Sequence, residues 1–182
     1  EVIKLENKKT IKKKDKSNVT VGPPESMSKS KKNTVDPETM IAKYGADSVR
    51  WFILSDSPPE KDVQWSDKGV FSSNKFLQKM WDLNHQVLNC DYINSPHEKQ
   101  KDFEIKINLI VKKINESIEK FQFNVSIALF YEVYKILKNA LDIKLDKKVM
   151  LSNTKKIMKL MIPFTPHLAH ECLFLLGEKS FE

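Results

Sequence analysis

Between residues 66 and 177, apolar side chains recur at the three- and four-residue spacing of helices that bury one face. Ser66 caps the first such stretch. Its stripe is Val70, Leu77, Met80, Trp81, Asn84, Val87 and Leu88, and Asn94-Ser95-Pro96 breaks it. Ile107, Ile110, Ile114, Ile118 and Phe121 line the next stretch. Asn124 is placed to cap a third, with Phe130, Val133, Tyr134, Leu137 and Leu141 inward. A fourth runs over 146–162. Pro163-Phe164-Thr165-Pro166 then turns the chain, with Thr165 as cap and Pro166 in the first helical position. Leu168, Ala169, Cys172, Leu173 and Leu176 make the last stripe, closed by Gly177. Amphipathic helices joined by short breaks predict an antiparallel bundle whose stripes are core rather than a cofactor box.

The residues before Ser66 read differently. Residues 1–17 are rich in lysine, with Ile3, Leu5 and Ile11 scattered among them. They predict an extended hairpin or a tail, and Lys12-Lys13-Lys14 and Lys16 suit either solvent or a phosphate backbone. Val19-Thr20-Val21 alternates as a short strand. Residues 36–44 predict a short helix with Met40 and Ile41 inward, capped by Asp36 and ended by Gly45. Residues 46–55 predict a second helix, with Val49, Phe52 and Ile53 as its apolar face and Trp51 and Leu54 flanking it. Asp47 lies in its first turn, where the helix dipole favours a carboxylate, and Arg50 is spaced to pair with it. Pro58-Pro59 stops this helix, and Asp62-Val63-Gln64-Trp65 is a brief extended piece. The expected fold class is mainly α: a basic loop and short strands in a connecting segment, then an antiparallel helix bundle. The expected domains are 1–65 and 66–182.

Between the strand and the first helix lies Ser26-Met27-Ser28-Lys29-Ser30-Lys31-Lys32-Asn33. No apolar period runs through it. Gly22-Pro23-Pro24 stands before it and the Asp36-Pro37 helix start after it. Such a basic loop offers ammonium groups, hydroxyls and backbone N–H groups to a polyanion, for which a triphosphate is the natural candidate. The G-x-x-x-x-G-K-[ST] spacing is absent, so it is not a Walker loop. Ser26-Met27-Ser28-Lys29 fits S-x-x-K, but the S-D-N and K-T-G elements that acyl-serine chemistry also needs do not occur.

The net charge of +7 suits a polyanionic partner. Cys90 and Cys172 stand far apart with no C-x-x-C partner, which argues for reduced thiols. No metal site is expected: His167, His170 and Glu171 fall on neighbouring helical positions without H-E-x-x-H spacing or an evident distant ligand. No apolar run approaches the ~18 residues of a membrane-spanning helix. The chain opens at Glu1 with neither an initiator Met nor an apolar signal, as expected of a piece of a longer chain.

Met27-Ser28-Lys29-Ser30 resembles the last four residues of the KMSKS signature of class I aminoacyl-tRNA synthetases. The resemblance continues through Lys31-Lys32-Asn33-Thr34-Val35-Asp36-Pro37, Tyr44-Gly45-Ala46-Asp47 and Val49-Arg50-Trp51-Phe52-Ile53-Leu54. Ser57-Pro58-Pro59-Glu60-Lys61-Asp62 and Gln64-Trp65-Ser66-Asp67 look specifically like the leucyl-tRNA synthetases, and argue against valine or isoleucine specificity. The similarity is strong over 19–88 and weaker to 177.

That resemblance implies a part of an ATP-dependent, cytoplasmic leucine–tRNA ligase, with leucine, ATP with its Mg2+, and tRNA(Leu) as partners. It implies that Lys29 is catalytic and grips the ATP phosphates, and that Met27, Ser28, Lys29 and Ser30 bind ATP on a loop that closes and opens with turnover. Residues 1–65 would end the catalytic region, and 66–182 would form the helical domain of anticodon-binding type. Arg50, Lys112, Lys113, Lys135 and Lys138 are candidate tRNA contacts. The sequence departs from the signature at Ser26, where the family has its first lysine, and Lys31 or Lys32 is left to make up that charge. A His-Ile-Gly-His-like signature, a βαβ nucleotide-binding pattern, an editing insert and a leucine pocket are all missing, so this segment alone is expected to be inactive. The alternative is a non-catalytic helical RNA-binding module that retains the loop.

Overall fold

The computed structural model describes residues 2–4, 10–20 and 22–178. The chain divides into two compact units, Glu1–Val35 and Asp36–Glu182.

In the first unit, β1 (Val2–Lys4), β2 (Thr10–Lys12) and β3 (Asn18–Val19) form an antiparallel sheet in that order, with Ile3 opposite Ile11 and Thr10 opposite Val19. The turn between β2 and β3 is closed by Asp15. Its carboxylate accepts from the Ser17 hydroxyl at 2.7 Å and the Ser17 N–H at 3.0 Å, and the hydroxyl bond chiefly holds the Asp15 pKa below its usual value. A hairpin was one of the two forms expected of this lysine-rich stretch.

The second unit is helical: α1 (Pro37–Tyr44), α2 (Ala46–Asp56), α3 (Asp67–Asn89), α4 (His97–Glu119), α5 (Phe123–Asp142), α6 (Lys147–Met161) and α7 (Pro166–Leu175). Helix α4 lies along α5, α2 packs on α3 and α5, and α6 packs on α7. Three expected caps are in place. Asp36 accepts from Glu38 N–H and Thr39 N–H, Ser66 Oγ accepts from Gly69 N–H at 3.1 Å, and Gly45 ends α1 at φ +80°. At the crossing of α2 and α3 there is no room for a side chain on Gly69: a Cβ there would run into the Phe52 ring.

The buried face of α2 is rotated from the expected one. Trp51 and Phe52 are buried and Ile53 is 45% exposed. The helix packs on two neighbours at once, α3 and α5, so its face centres between them, on Ser48, Trp51 and Phe52. Trp51 is the hub of the aromatic core. Its ring stacks on Phe76 at 5.2 Å and lies near Phe130, Tyr131 and Phe164, and its indole N–H donates to Tyr131 Oη at 3.3 Å. Asn124 is not a cap, because α5 starts a residue earlier with Gln122 at its N-cap. Phe121 leaves the stripe of α4: it follows the helix end at φ +55° and is 64% exposed.

Two polar atoms in the core lack partners among the described residues: Asn84 Oδ1 and Thr154 Oγ1, both on fully buried side chains. An orphaned buried hydroxyl costs about 1–3 kcal/mol, and an isosteric apolar group removes that cost. Thr154→Val is therefore expected to stabilise the protein by about 1 kcal/mol. A urea midpoint that moves up confirms this; one that falls means the hydroxyl is satisfied in solution.

Candidate functional site

The basic loop is shaped by its own polar groups. Asn33 closes it: its carboxamide oxygen accepts Ser28 N–H at 2.8 Å, and its Nδ2 donates to the Ser26 carbonyl at 3.3 Å. Inside that closure, Ser28 Oγ accepts Lys31 N–H at 3.3 Å and lies 3.2 Å from Ser30 Oγ. Lys32 N–H donates to the Lys29 carbonyl at 3.1 Å, and Lys32 sits in the left-handed region at φ +50°. Lys29 and Lys32 thus stand at the two ends of one tight turn.

The three ammonium groups of the loop are not equivalent. Lys31 Nζ is 3.0 Å from Glu25, in a pair exposed on both sides. Lys29 and Lys32 are exposed and have no partner among the described residues. Met27 is 46% exposed. The loop therefore presents two unpaired cations and a row of small hydroxyls. Sequence reasoning did not single out Asn33 or Glu25. The available signals were an amide five residues after Ser28 and an acid six residues before Lys31.

The candidate RNA-contacting residues lie on three helices. Arg50 does not pair with Asp47. Its Nη2 donates to the Pro163 carbonyl at 2.7 Å and its Nε to that of Phe164 at 3.4 Å, while the residue as a whole stays exposed. Lys112 pairs along α4 with Glu116 at 3.8 Å. Lys138 donates to Gln86 Oε1 at 2.9 Å and lies 3.7 Å from Asp142. Lys113 and Lys135 face two separate hollows between α4 and α5. Lys113 borders one with Lys120, Val125 and Leu129. Lys135 borders the other, of about 380 Å³, with Lys99 and Lys106 above a floor that includes Phe103 and Ala140. The two linings pair early α4 with late α5 and late α4 with early α5, so the helices run antiparallel.

The expected cap at α7 is replaced by a different one. Thr165 makes no side-chain cap; its hydroxyl turns back to the Met161 carbonyl at 3.4 Å. Asp47, from α2, takes its place. It is buried, accepts Leu168 N–H at 2.8 Å on Oδ2, and meets His167 Nδ1 at 2.8 Å on Oδ1. No group of three metal-ligating side chains occurs among the described residues. Burial pushes the Cys172 thiol up to about 12, with Glu171 adding to the effect, so it stays protonated.

Two family models match the chain. Residues 17–66 match the class I tRNA synthetases for isoleucine, leucine, methionine and valine, and residues 100–181 match the anticodon-binding domain of tRNA ligases. Over these two segments the chain is similar to the class I tRNA synthetases. Within that class its similarity is to leucine–tRNA ligases: it is 40% identical over 177 residues to that of Bartonella tribocorum and 41% over 178 to that of Bartonella henselae, each alignment covering 91% of this chain. The ligase of Brucella abortus is 37% identical over 172 residues. The chain spans about 20% of the length of these relatives. Among solved structures, it superposes on the agnB2 LeuRS of Agrobacterium radiobacter K84, solved in a ternary complex with tRNA and LeuAMS. The TM-score is 0.73 at 24% identity, over 85% of this chain and 21% of that one, a likeness of fold.

Proposed function

We propose that this chain is a segment of an ATP-dependent leucine–tRNA ligase, in which the 26–33 loop serves adenylate formation and the helical bundle holds tRNA(Leu). The observation that carries the reading is that similarity to leucine–tRNA ligases runs through both the loop and the bundle, over 91% of the chain. Residues 1–65 then end the catalytic region and 66–182 form the tRNA-binding domain. The enzyme would work in the cytoplasm, with Mg2+ entering as part of the ATP substrate.

In the first step the leucine carboxylate attacks the α-phosphorus of ATP and pyrophosphate leaves, gathering negative charge. Lys29 is the cation assigned to that charge. Backbone N–H groups and hydroxyls of Met27, Ser28 and Ser30 complete the cradle. In the resting loop Ser28 N–H is held by Asn33, so binding ATP through that amide requires the Asn33 closure to open. In the second step the leucyl group passes to a ribose hydroxyl of the terminal adenosine. Contacts from Lys112, Lys113, Lys135 and Lys138 to the RNA backbone would position it without reading sequence, and would weaken as salt rises. Arg50 adds to them only by the edge of its guanidinium not turned to Pro163 and Phe164.

Lys32 supplies the charge that Ser26 lacks in this reading. It has no ion-pair partner among the described residues, whereas Lys31 is shared with Glu25, although an exposed pair of that kind is worth at most about 1 kcal/mol. Lys32→Ala in the full-length ligase is expected to slow ATP–pyrophosphate exchange about 10-fold, or about 1.4 kcal/mol, and Ser26→Lys added to it to restore the rate. Unchanged exchange in Lys32→Ala would leave Lys29 as the only working cation. For the function as a whole the test is charging of tRNA(Leu) with labelled leucine by the full-length protein. Residues 1–182 alone are expected to charge nothing, and a full-length protein that fails to charge would contradict the reading.

A further inference from the structure

Helix α2 meets the corner between α6 and α7 with two opposite charges one turn apart. Asp47 accepts the N–H of Leu168, the third residue of α7, and Arg50 donates to the carbonyls of Pro163 and Phe164, just past the end of α6. Each charge has the sign that suits the helix end it meets. The start of α7 has no other side-chain cap among the described residues: Pro166 has no N–H to donate, and the Thr165 side chain is turned to Met161. The end of α6 is also closed by backbone bonds, from Ile162 N–H to the Lys159 carbonyl and from Thr165 N–H to that of Met161.

Apolar packing also holds this corner. Phe164 is fully buried against Phe130 at 5.3 Å, Phe123 at 5.9 Å and Trp51 at 6.3 Å. Apolar burial is non-directional, whereas hydrogen bonds fix an angle. What Asp47 and Arg50 add is the orientation of α7 relative to α2. The clamp also links the two family segments, since α2 lies within residues 17–66 and the corner within 100–181.

We propose that Asp47 is a positioning residue, with Arg50 completing the clamp. It sets the angle at which the end of the bundle is presented to tRNA, and so governs leucyl transfer to tRNA rather than adenylate formation. This inference rests on the ligase reading above.

The test uses the full-length ligase with Asp47→Ala, Asp47→Ser and Asp47→Asn. In Asp47→Ala the expected result is leucine-dependent ATP–pyrophosphate exchange within ~2-fold of wild type, with the KM for tRNA raised at least ~10-fold. Asp47→Asn keeps an oxygen for Leu168 N–H and is expected to restore most of the tRNA KM. Asp47→Ser, too short to span the gap, behaves as alanine does and carries the test if the alanine variant does not fold. A tRNA KM unchanged in the alanine and serine variants overturns the proposal, as does exchange that falls in step with charging. Wild type lacking leucine-dependent exchange overturns the ligase reading, and this inference with it; the two failures are told apart by the wild-type assay.

Discussion

Replacing Lys29 with alanine in the full-length protein is expected to lower leucine-dependent ATP–pyrophosphate exchange at least ~100-fold, equivalent to about 2.7 kcal/mol of transition-state stabilisation. Charge grows on the departing pyrophosphate, and a catalyst gains by placing a fixed cation where it grows. At about 4 Å and an effective dielectric near 20, one ammonium–phosphate pair is worth roughly 4 kcal/mol, comparable to the ~3–4 kcal/mol lost with a key oxyanion donor. The resting loop leaves Lys29 exposed and without an ion-pair partner among the described residues, so no internal pair must break before it meets ATP. Lys29→Arg keeps the charge on a longer, planar group and is expected to retain part of the rate. A loss under ~5-fold in Lys29→Ala would remove Lys29 from the chemistry.

The largest expected effect on stability is at Trp51. Its side chain is fully buried, stacks on Phe76, touches the rings of Phe130, Tyr131 and Phe164, and donates its indole N–H to Tyr131. Truncation leaves a cavity where α2, α3 and α5 meet, and large-to-alanine changes of this kind cost about 3–5 kcal/mol. Domains are stable by only about 5–15 kcal/mol, so Trp51→Ala should shift the urea midpoint sharply or abolish folding. Trp51→Phe fills part of the space and should fall well short of that loss. A cost under about 1 kcal/mol for the alanine variant would mean that the aromatic cluster repacks around the gap.

Elements governed by local chemistry could be read from the sequence. The caps at Asp36, Ser66 and Gly45 depend on residues within one turn, and each sits where its spacing places it. The stripes of α3, α5 and α7 survive, and that of α4 as far as Ile118, because each of these helices has one broad buried face. Reading failed where a distant element decided the outcome. Ile53 and Trp51 exchange roles because α2 packs against two helices at once, which the period of a single helix does not reveal. Thr165 yields its capping role to Asp47, 118 residues earlier in the chain. At the loop, the motif pointed to Lys29. It carried no information on which of Lys31 and Lys32 would be paired, since that depends on where Glu25 comes to lie.

The most direct measurement is amino-acid-dependent ATP–pyrophosphate exchange by the full-length protein, run side by side with leucine, isoleucine and valine. Exchange driven by leucine far above the other two is the expected result. Exchange driven equally or better by isoleucine or valine, or by none of the three, would contradict it.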